Sequence, residues 1–148
     1  MEAIKLLSFF ERDLNKLVTE IELYKEEKNL WLVEGNISNS AGNLALHLIG
    51  NLNTFIGKEL GNTEYLRDRD LEFSAKDVPR AHIITGIKDT ITMLKNVLSQ
   101  LTTEDLAKDY PVLKFPEPAS TEYLLIHLAA HLTYHLGQIN YHRRLLDK

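Results

Sequence analysis

The stretch from Ser120 to Leu146 reads STEYLLIHLAAHLTYHLGQINYHRRLL, and the fold class follows from it. It contains no proline, and its first glycine is Gly137, so a helix can run through most of its length. Ser120 can cap the helix N-terminus, and Glu122 is favourable in the first turn. We therefore predict one long helix that continues past Gly137 to about Leu146.

Three earlier segments carry apolar residues at steps of three and four, the spacing of an amphipathic helix. They extend from about Glu2 to Tyr24, from Asn39 or Ser40 to between Gly57 and Gly61, and from Asp77-Val78-Pro79 to about Leu101. The first segment has no glycine or proline before Gly35, so its helix can continue towards Leu32. Thr103 can cap a short additional turn.

Four long amphipathic helices and little strand signal predict a single all-α domain, residues 1–148, folded as an antiparallel four-helix bundle. The second and third helices are joined by a long, charge-rich connection, Asn62–Lys76, which predicts a crossover in a solvated segment. Arg67 and Arg69 in this connection can bind an anion, although a solvated loop or a dimer contact is the expected role. Residues Tyr110–Pro118 are expected to be extended, as either a short strand or an irregular arm.

Composition excludes several classes of function. The chain has 148 residues, of which 44% are hydrophobic and 26% charged, enough apolar area for a soluble core. The net charge of −4 argues against nucleic-acid binding, and no segment is long and apolar enough for a membrane span, so we expect a cytoplasmic protein. With no cysteine, the chain cannot form disulfides, thiolate metal ligands or a cysteine nucleophile.

The long helix carries three histidines, His127, His131 and His135, spaced four residues apart on one face. Two neutral imidazoles in this arrangement can bind one cation at about 2.0–2.1 Å per bond. The same face carries Leu124 and Leu128, which indicates that it points into the protein. Because burying an imidazole is costly unless its nitrogens find partners, a metal ion is one such partner.

A metal bound by His131 and His135 needs a further ligand from another helix, and His47 in the apolar middle of the second helix is the natural choice. Three histidines leave a coordination position for water or substrate, as in catalytic metal sites. The alternative is that these histidines form a hydrogen-bond network in the core. The sequence has neither the His-Glu-x-x-His nor the Glu-x-x-His pattern, and no catalytic residue is assigned.

Several neighbours of these histidines have candidate roles. His127 can be a ligand, a hydrogen-bond donor to one or part of a cavity wall. Gln138 and Asn43 each lie about one turn from a proposed ligand and can orient it or a substrate, although Gln138 suits a helix–helix hydrogen bond equally well. Gly137 can allow close approach of another helix, and His142 is expected to face solvent or the helix dipole.

Two motifs resemble the DinB/YfiT-like metalloproteins. One is the histidine in the middle of the second helix, within Asn39–Leu48. The other is the pattern His, three residues, His, any residue, Gly-Gln, which runs from His131 to Gln138. Gly50-Asn51-Leu52 and Arg67–Phe73 look like one branch of that family, and the resemblance covers nearly the whole chain.

This resemblance implies a four-helix bundle with a long crossover, a homodimer, and one divalent transition metal, zinc, nickel or similar, held by His47, His131 and His135. It also implies a metal-dependent enzyme acting on a small molecule, either a thiol-dependent transferase or a hydrolase. Since the chain has no cysteine, a thiol would come from an external low-molecular-weight compound. The alternative is a non-enzymatic metal-binding or stress-associated bundle.

Overall fold

The computed structural model describes the whole chain, Met1–Lys148, as an all-helical protein without a β-strand, as the sequence predicts. In chain order the α-helices are α1 (Ala3–Leu23), α2 (Ala41–Leu52), α3 (Arg69–Ser74), α4 (Arg80–Leu98), α5 (Thr103–Ala107) and α6 (Thr121–Leu146). A 3₁₀ helix, Glu27–Trp31, lies between α1 and α2. A π-helical segment, Asn53–Lys58, and a final turn, Glu59–Gly61, continue α2 without a break.

The two helices that carry the histidines begin at capping serines: Ser120 as predicted, and Ser40 as one of the two predicted starts of α2. The Ser40 hydroxyl accepts a hydrogen bond from the Asn43 backbone N–H at the start of α2. The Ser120 hydroxyl accepts one from the Tyr123 N–H at the start of α6. Such caps stabilise a helix by about 1 kcal/mol each.

Helix α1 ends at Leu23 and not near Leu32, so the predicted extension is wrong. The backbone N–H groups of Lys25 and Glu26 donate to the carboxylate of Asp147. They are therefore not available to the carbonyl groups four residues earlier, and the helical hydrogen-bond pattern stops. A residue at the far end of the chain thus contributes to ending the first helix.

Two other helix starts differ slightly from the prediction. Thr102, and not Thr103, caps α5, because its hydroxyl accepts from the Asp105 N–H while the Asp105 carboxylate accepts from the Thr102 N–H. Helix α4 begins at Arg80, directly after the predicted Pro79. Between α5 and α6 the chain is irregular, as expected, with one bridge between Asp109 and Ser120.

Contacts between the long helices give their relative directions. Helices α1 and α4 are antiparallel, because Glu11 lies near Lys95 while the Glu22 carbonyl accepts from Arg80. Helices α1 and α6 are parallel, since Asp13 pairs with Thr133 and, further along both helices, Glu20 pairs with Asn140. The expectation of an antiparallel arrangement therefore does not describe the α1–α6 contact.

Helices α2 and α4 also run in the same direction. Ile49 lies against Gly86, and one turn later the Asn53 amide donates to the Thr90 hydroxyl. Two parallel neighbouring helices cannot be joined by a tight turn, because the chain must return to the end at which it started. The connection from Asn62 to Pro79, with α3 inside it, makes this return and is the predicted long crossover.

Every long helix contributes to one apolar core. Phe10 of α1, Leu48 of α2, Leu94 of α4 and Leu132 of α6 are almost completely buried. Each such side chain stabilises the fold by about 1.5–3 kcal/mol relative to an exposed position. None of the helices combines the length and the apolar composition that crossing a lipid bilayer requires.

His142 and Gly137 on α6 differ from the expectations. His142 is only 4% exposed, so a solvent-facing position is wrong. Its Nδ1 lies 2.6 Å from the Tyr24 hydroxyl and its Nε2 lies 2.8 Å from the Leu32 carbonyl oxygen. Gly137 has open space around it, so it does not serve the close approach of another helix.

Candidate metal centre

Three histidine side chains from two helices converge on one point. His47 lies in the middle of α2, and His131 and His135 lie one turn apart on α6. The Nε2 atom of His131 is 3.3 Å from Nε2 of His47 and 3.1 Å from Nε2 of His135. His47 is buried and the other two are half-buried. These are the three residues that the sequence analysis named as ligands.

The outer nitrogens of two of these rings are hydrogen-bonded to oxygen acceptors. Nδ1 of His47 lies 3.0 Å from Oε1 of Glu72, and Nδ1 of His135 lies 2.7 Å from Oε1 of Gln138. Because a carboxylate and an amide oxygen only accept, each Nδ1 carries the hydrogen and donates it. In the neutral rings the Nε2 atoms of His47 and His135 then present lone pairs to the common point.

The electrostatic environment keeps His131 and His47 neutral. Burial, followed by the charges of His135 and His47, lowers the pKa of His131 to about 4. Burial also lowers the pKa of His47, although its contact with Glu72 acts in the opposite direction. Both rings are therefore uncharged near neutral pH, which is the form that binds metal ions.

Two of the distances between the ligand nitrogens match those expected around a metal ion. Two ligand atoms at about 2.0–2.1 Å from a tetrahedral ion lie about 3.3–3.4 Å apart, close to the values for these Nε2 atoms. Without a metal, the Nε2 atoms of His47 and His135 could only accept. The single hydrogen on His131 Nε2 would then have to serve the contacts with both of them. The buried, unpartnered Nδ1 atom of His131 does not separate the two readings, because it would be a bare acceptor in the network and an unpaired N–H donor in the metal site.

Glu72 is a functional candidate that no sequence motif reveals. It lies on α3, within the crossover that was expected to be solvated, and is only 7% exposed. Its carboxylate accepts from His47 and also from Arg67, with Nε to Oε2 at 2.9 Å and Nη2 to Oε1 at 3.0 Å. Arg67 is thus an ion-pair partner and not a solvated residue. The sequence offers one indirect signal: a buried histidine ligand needs a hydrogen-bond acceptor at its second nitrogen, so some acceptor had to lie beside His47.

Asn43 does not hydrogen-bond a histidine ligand. It instead holds the backbone of α3 in place. Its side-chain amide donates to the backbone carbonyls of Glu72 and Ala75, each at 2.9 Å. Its side-chain oxygen accepts from the Ser40 hydroxyl. Asn43 therefore attaches α3 to the start of α2, which places Glu72 beside His47.

The other two neighbours named from the sequence occupy separate positions. Gln138 contacts His135 one turn away, as the spacing indicates. The ring of His127 packs edge-on against Phe115, with centroids 5.1 Å apart. Burial and the charge of Lys114 lower the pKa of His127. His127 is thus placed one turn from His131, outside the cluster of ligand nitrogens.

An open pocket of about 470 Å³ is lined in part by His135. Gln138, Tyr134, Tyr141, Leu44 and Asn39 are among its lining residues. Its volume is in the range of sites that bind small molecules. A ligand in this pocket would contact the residue that hydrogen-bonds His135.

These features define an all-helical protein with a three-histidine candidate metal site between α2 and α6. The family model described as "Protein of unknown function (DUF1572)" matches residues 7–148, and the chain belongs to this family. Among curated proteins, none matches the sequence.

Proposed function

We propose that this protein binds one divalent transition metal, zinc, nickel or a similar ion, through the Nε2 atoms of His47, His131 and His135. The observation that carries the proposal is the convergence of these three atoms while the Nδ1 atoms of His47 and His135 donate to Glu72 and Gln138. Histidine ligands whose second nitrogen is held by an acceptor are typical of metal sites.

We further propose that the metal centre catalyses a reaction of a small-molecule substrate. A divalent ion with three histidine ligands keeps open positions and acts as a Lewis acid towards water or a thiolate. Hydrolysis usually needs a free base, but both oxygens of Glu72 are occupied by His47 and Arg67. This favours a thiol-dependent transferase over a hydrolase, with an external low-molecular-weight thiol because the chain has no cysteine.

The remaining expectations belong to the same proposal. We infer a DinB-like single domain in which the four long helices form one bundle in the order up, down, down, up. The parallel contacts of α1 with α6 and of α2 with α4, and the long crossover between α2 and α4, support this order. We expect a homodimer, which sedimentation analysis would test.

Metal analysis of protein purified without a histidine tag tests the centre. We expect one divalent ion per chain in the wild type and a large loss of bound metal in His131→Ala. The matched control is His82→Ala, because His82 is an exposed histidine in the first turn of α4 and should leave the metal content unchanged. Equal metal content in the wild type and in His131→Ala would refute the proposed site.

The enzymatic part of the proposal needs a separate measurement. Metal-loaded protein is assayed with small thiols and electrophilic acceptors for group transfer, and with simple esters for hydrolysis. We expect thiol consumption that is lost in His131→Ala and retained in His82→Ala. A fully metal-loaded protein that stays inactive would instead support a non-enzymatic metal-binding or stress-associated protein.

A further inference from the structure

Arg69 and Lys114 are two cationic side chains near the candidate metal centre. The Arg69 guanidinium carbon lies 5.2 Å from the ring centroid of Phe73, and the Phe73 ring lies 4.8 Å from that of His47. The Lys114 ammonium lies 4.2 Å from the ring centroid of Phe55. The same ring has the Arg67 guanidinium 5.9 Å away. Phe73 thus lies between Arg69 and His47, while Lys114 and Arg67 share the ring of Phe55.

Only one of these three cations has a carboxylate partner. Arg67 is paired with Glu72. The ion pairs of the chain include neither Arg69 nor Lys114. Both side chains are solvent-accessible. Two positive charges therefore lack an ion-pair partner near a centre in which His47 and His131 are neutral.

The cations act on each other and on the histidines. Partial desolvation, and then the charges of Arg67 and Arg69, lower the pKa of Lys114. The charge of Lys114 in turn contributes to the lowered pKa of His127 and of His131. The geometry agrees with this: Lys114 and Arg67 lie over the same Phe55 ring, and Nη2 of Arg67 lies 3.4 Å from Nδ1 of His47.

Grouping like charges destabilises a protein unless something offsets the repulsion. A cation–π contact at an exposed site contributes about 0.5–1 kcal/mol, so the two rings offset only part of it. A bound anion would neutralise the cluster and gain charge-assisted hydrogen bonds from both side chains. The positive field also raises the local concentration of anions.

We propose that Arg69 and Lys114 bind a carboxylate or phosphate group of the small molecule that uses the metal centre. The substrate class named here, an anionic small molecule, rests on the proposed function of the metal centre. The anion site itself is present in metal-free protein, where it can be tested separately.

The test titrates metal-free protein with inorganic phosphate and, in a second experiment, with malonate at low ionic strength. Binding is followed in ¹H–¹⁵N NMR spectra, which also show that each variant is folded. The variant is Arg69→Gln/Lys114→Gln. The matched control, Lys28→Gln/Lys88→Gln, removes two exposed lysines that form no ion pair.

We expect saturable shifts at Phe55, Phe73, Arg69 and Lys114 with at least one of the two anions. Binding should weaken by about tenfold or more in the double variant and stay unchanged in the control. The anion that binds more tightly identifies the group that the substrate carries.

Three results would overturn the inference. The wild type could fail to saturate with either anion, the shifts could be confined to other parts of the protein, or the double variant and its control could bind with equal affinity. Metal analysis is independent of this titration. A wild type without metal would refute the metal centre but would leave the result for the anion site standing.

Discussion

Glu72 shows what a single buried carboxylate contributes to the candidate centre. A charged side chain this deeply buried destabilises a fold unless it is paired and hydrogen-bonded. Here one oxygen accepts from His47 and the other from Arg67. The same contact holds the His47 ring in one tautomer, with Nε2 free to act as a ligand.

Glu72→Gln should weaken metal binding without removing a ligand. The change keeps the shape of the side chain but removes the charge that favours the Nδ1–H form of His47. We expect an affinity about 10–100-fold lower, which is the usual effect of such partners. The measurement is competition with a chromogenic chelator, and circular dichroism checks that the variant is folded.

Glu64→Gln is the matched control for that experiment. Glu64 lies in the same connection but is exposed and forms no ion pair. Its substitution should leave metal affinity unchanged. An affinity in Glu72→Gln equal to that of this control would show that Glu72 does not position His47.

At the scale of elements, the contact between α2 and α3 brings Glu72 to the metal centre. Gly50 lies in the third turn of α2 and directly faces the Glu72 carboxylate, so that a Cβ atom at this position would overlap it. A glycine is required here by close approach. Gly137 on α6 is also inside a helix but has no atom of another element near it.

The two glycines should respond oppositely to alanine. Gly50→Ala overpacks the α2–α3 contact, and we expect a loss of about 1–3 kcal/mol in the free energy of unfolding together with weaker metal binding. Gly137→Ala should gain about 0.5–1 kcal/mol, because alanine favours the helix and meets no obstacle. Urea unfolding of both variants measures this. A Gly50→Ala protein as stable as Gly137→Ala would contradict the described contact.

At the scale of the whole molecule, His142 joins three parts of the chain. Its Nε2–H donates to the Leu32 carbonyl after the 3₁₀ helix, and its Nδ1 accepts from the Tyr24 hydroxyl at the end of α1. Burial lowers the pKa of His142, so the folded protein keeps this ring neutral. The stability of the whole fold is therefore linked to pH.

Metal-free protein should lose stability as the pH falls below about 6.5, the ordinary pKa of histidine. The unfolded chain then binds protons that the folded protein excludes from His142, His131 and His47. The free energy of unfolding therefore decreases as the pH falls. Each histidine that stays neutral contributes up to about 1.4 kcal/mol per pH unit in this window. Urea unfolding at several pH values between 5 and 7.5 measures the effect.

A pair of variants separates the contribution of His142. In His142→Gln the amide can still donate to Leu32 and accept from Tyr24, but it has no proton to gain. The free energy of unfolding should therefore change less steeply with pH than in the wild type. His82→Gln, at an exposed histidine, should keep the wild-type slope. The same slope in His142→Gln as in the wild type would mean that His142 is not excluded from protonation.

The all-α class, the four long helices and the serine caps could be predicted from the sequence because they depend on contacts within a few residues. The pair His131 and His135 could be predicted for the same reason, since residues four apart on a helix lie one turn apart wherever the helix is placed. The sequence indicates His47 as a third ligand, but only the structure shows that α2 and α6 meet there.

Tertiary structure alone decided the rest. The burial of Glu72 and of His142, the open surroundings of Gly137 and the parallel contacts of α1 with α6 all depend on side chains from segments distant in the chain. Local hydrogen bonding and periodicity carry no information on such contacts, because they arise when apolar faces pack and their polar groups find partners. The sequence by itself thus determined which side chains can bind a metal. Packing determined which of them meet, and which carboxylate holds them in place.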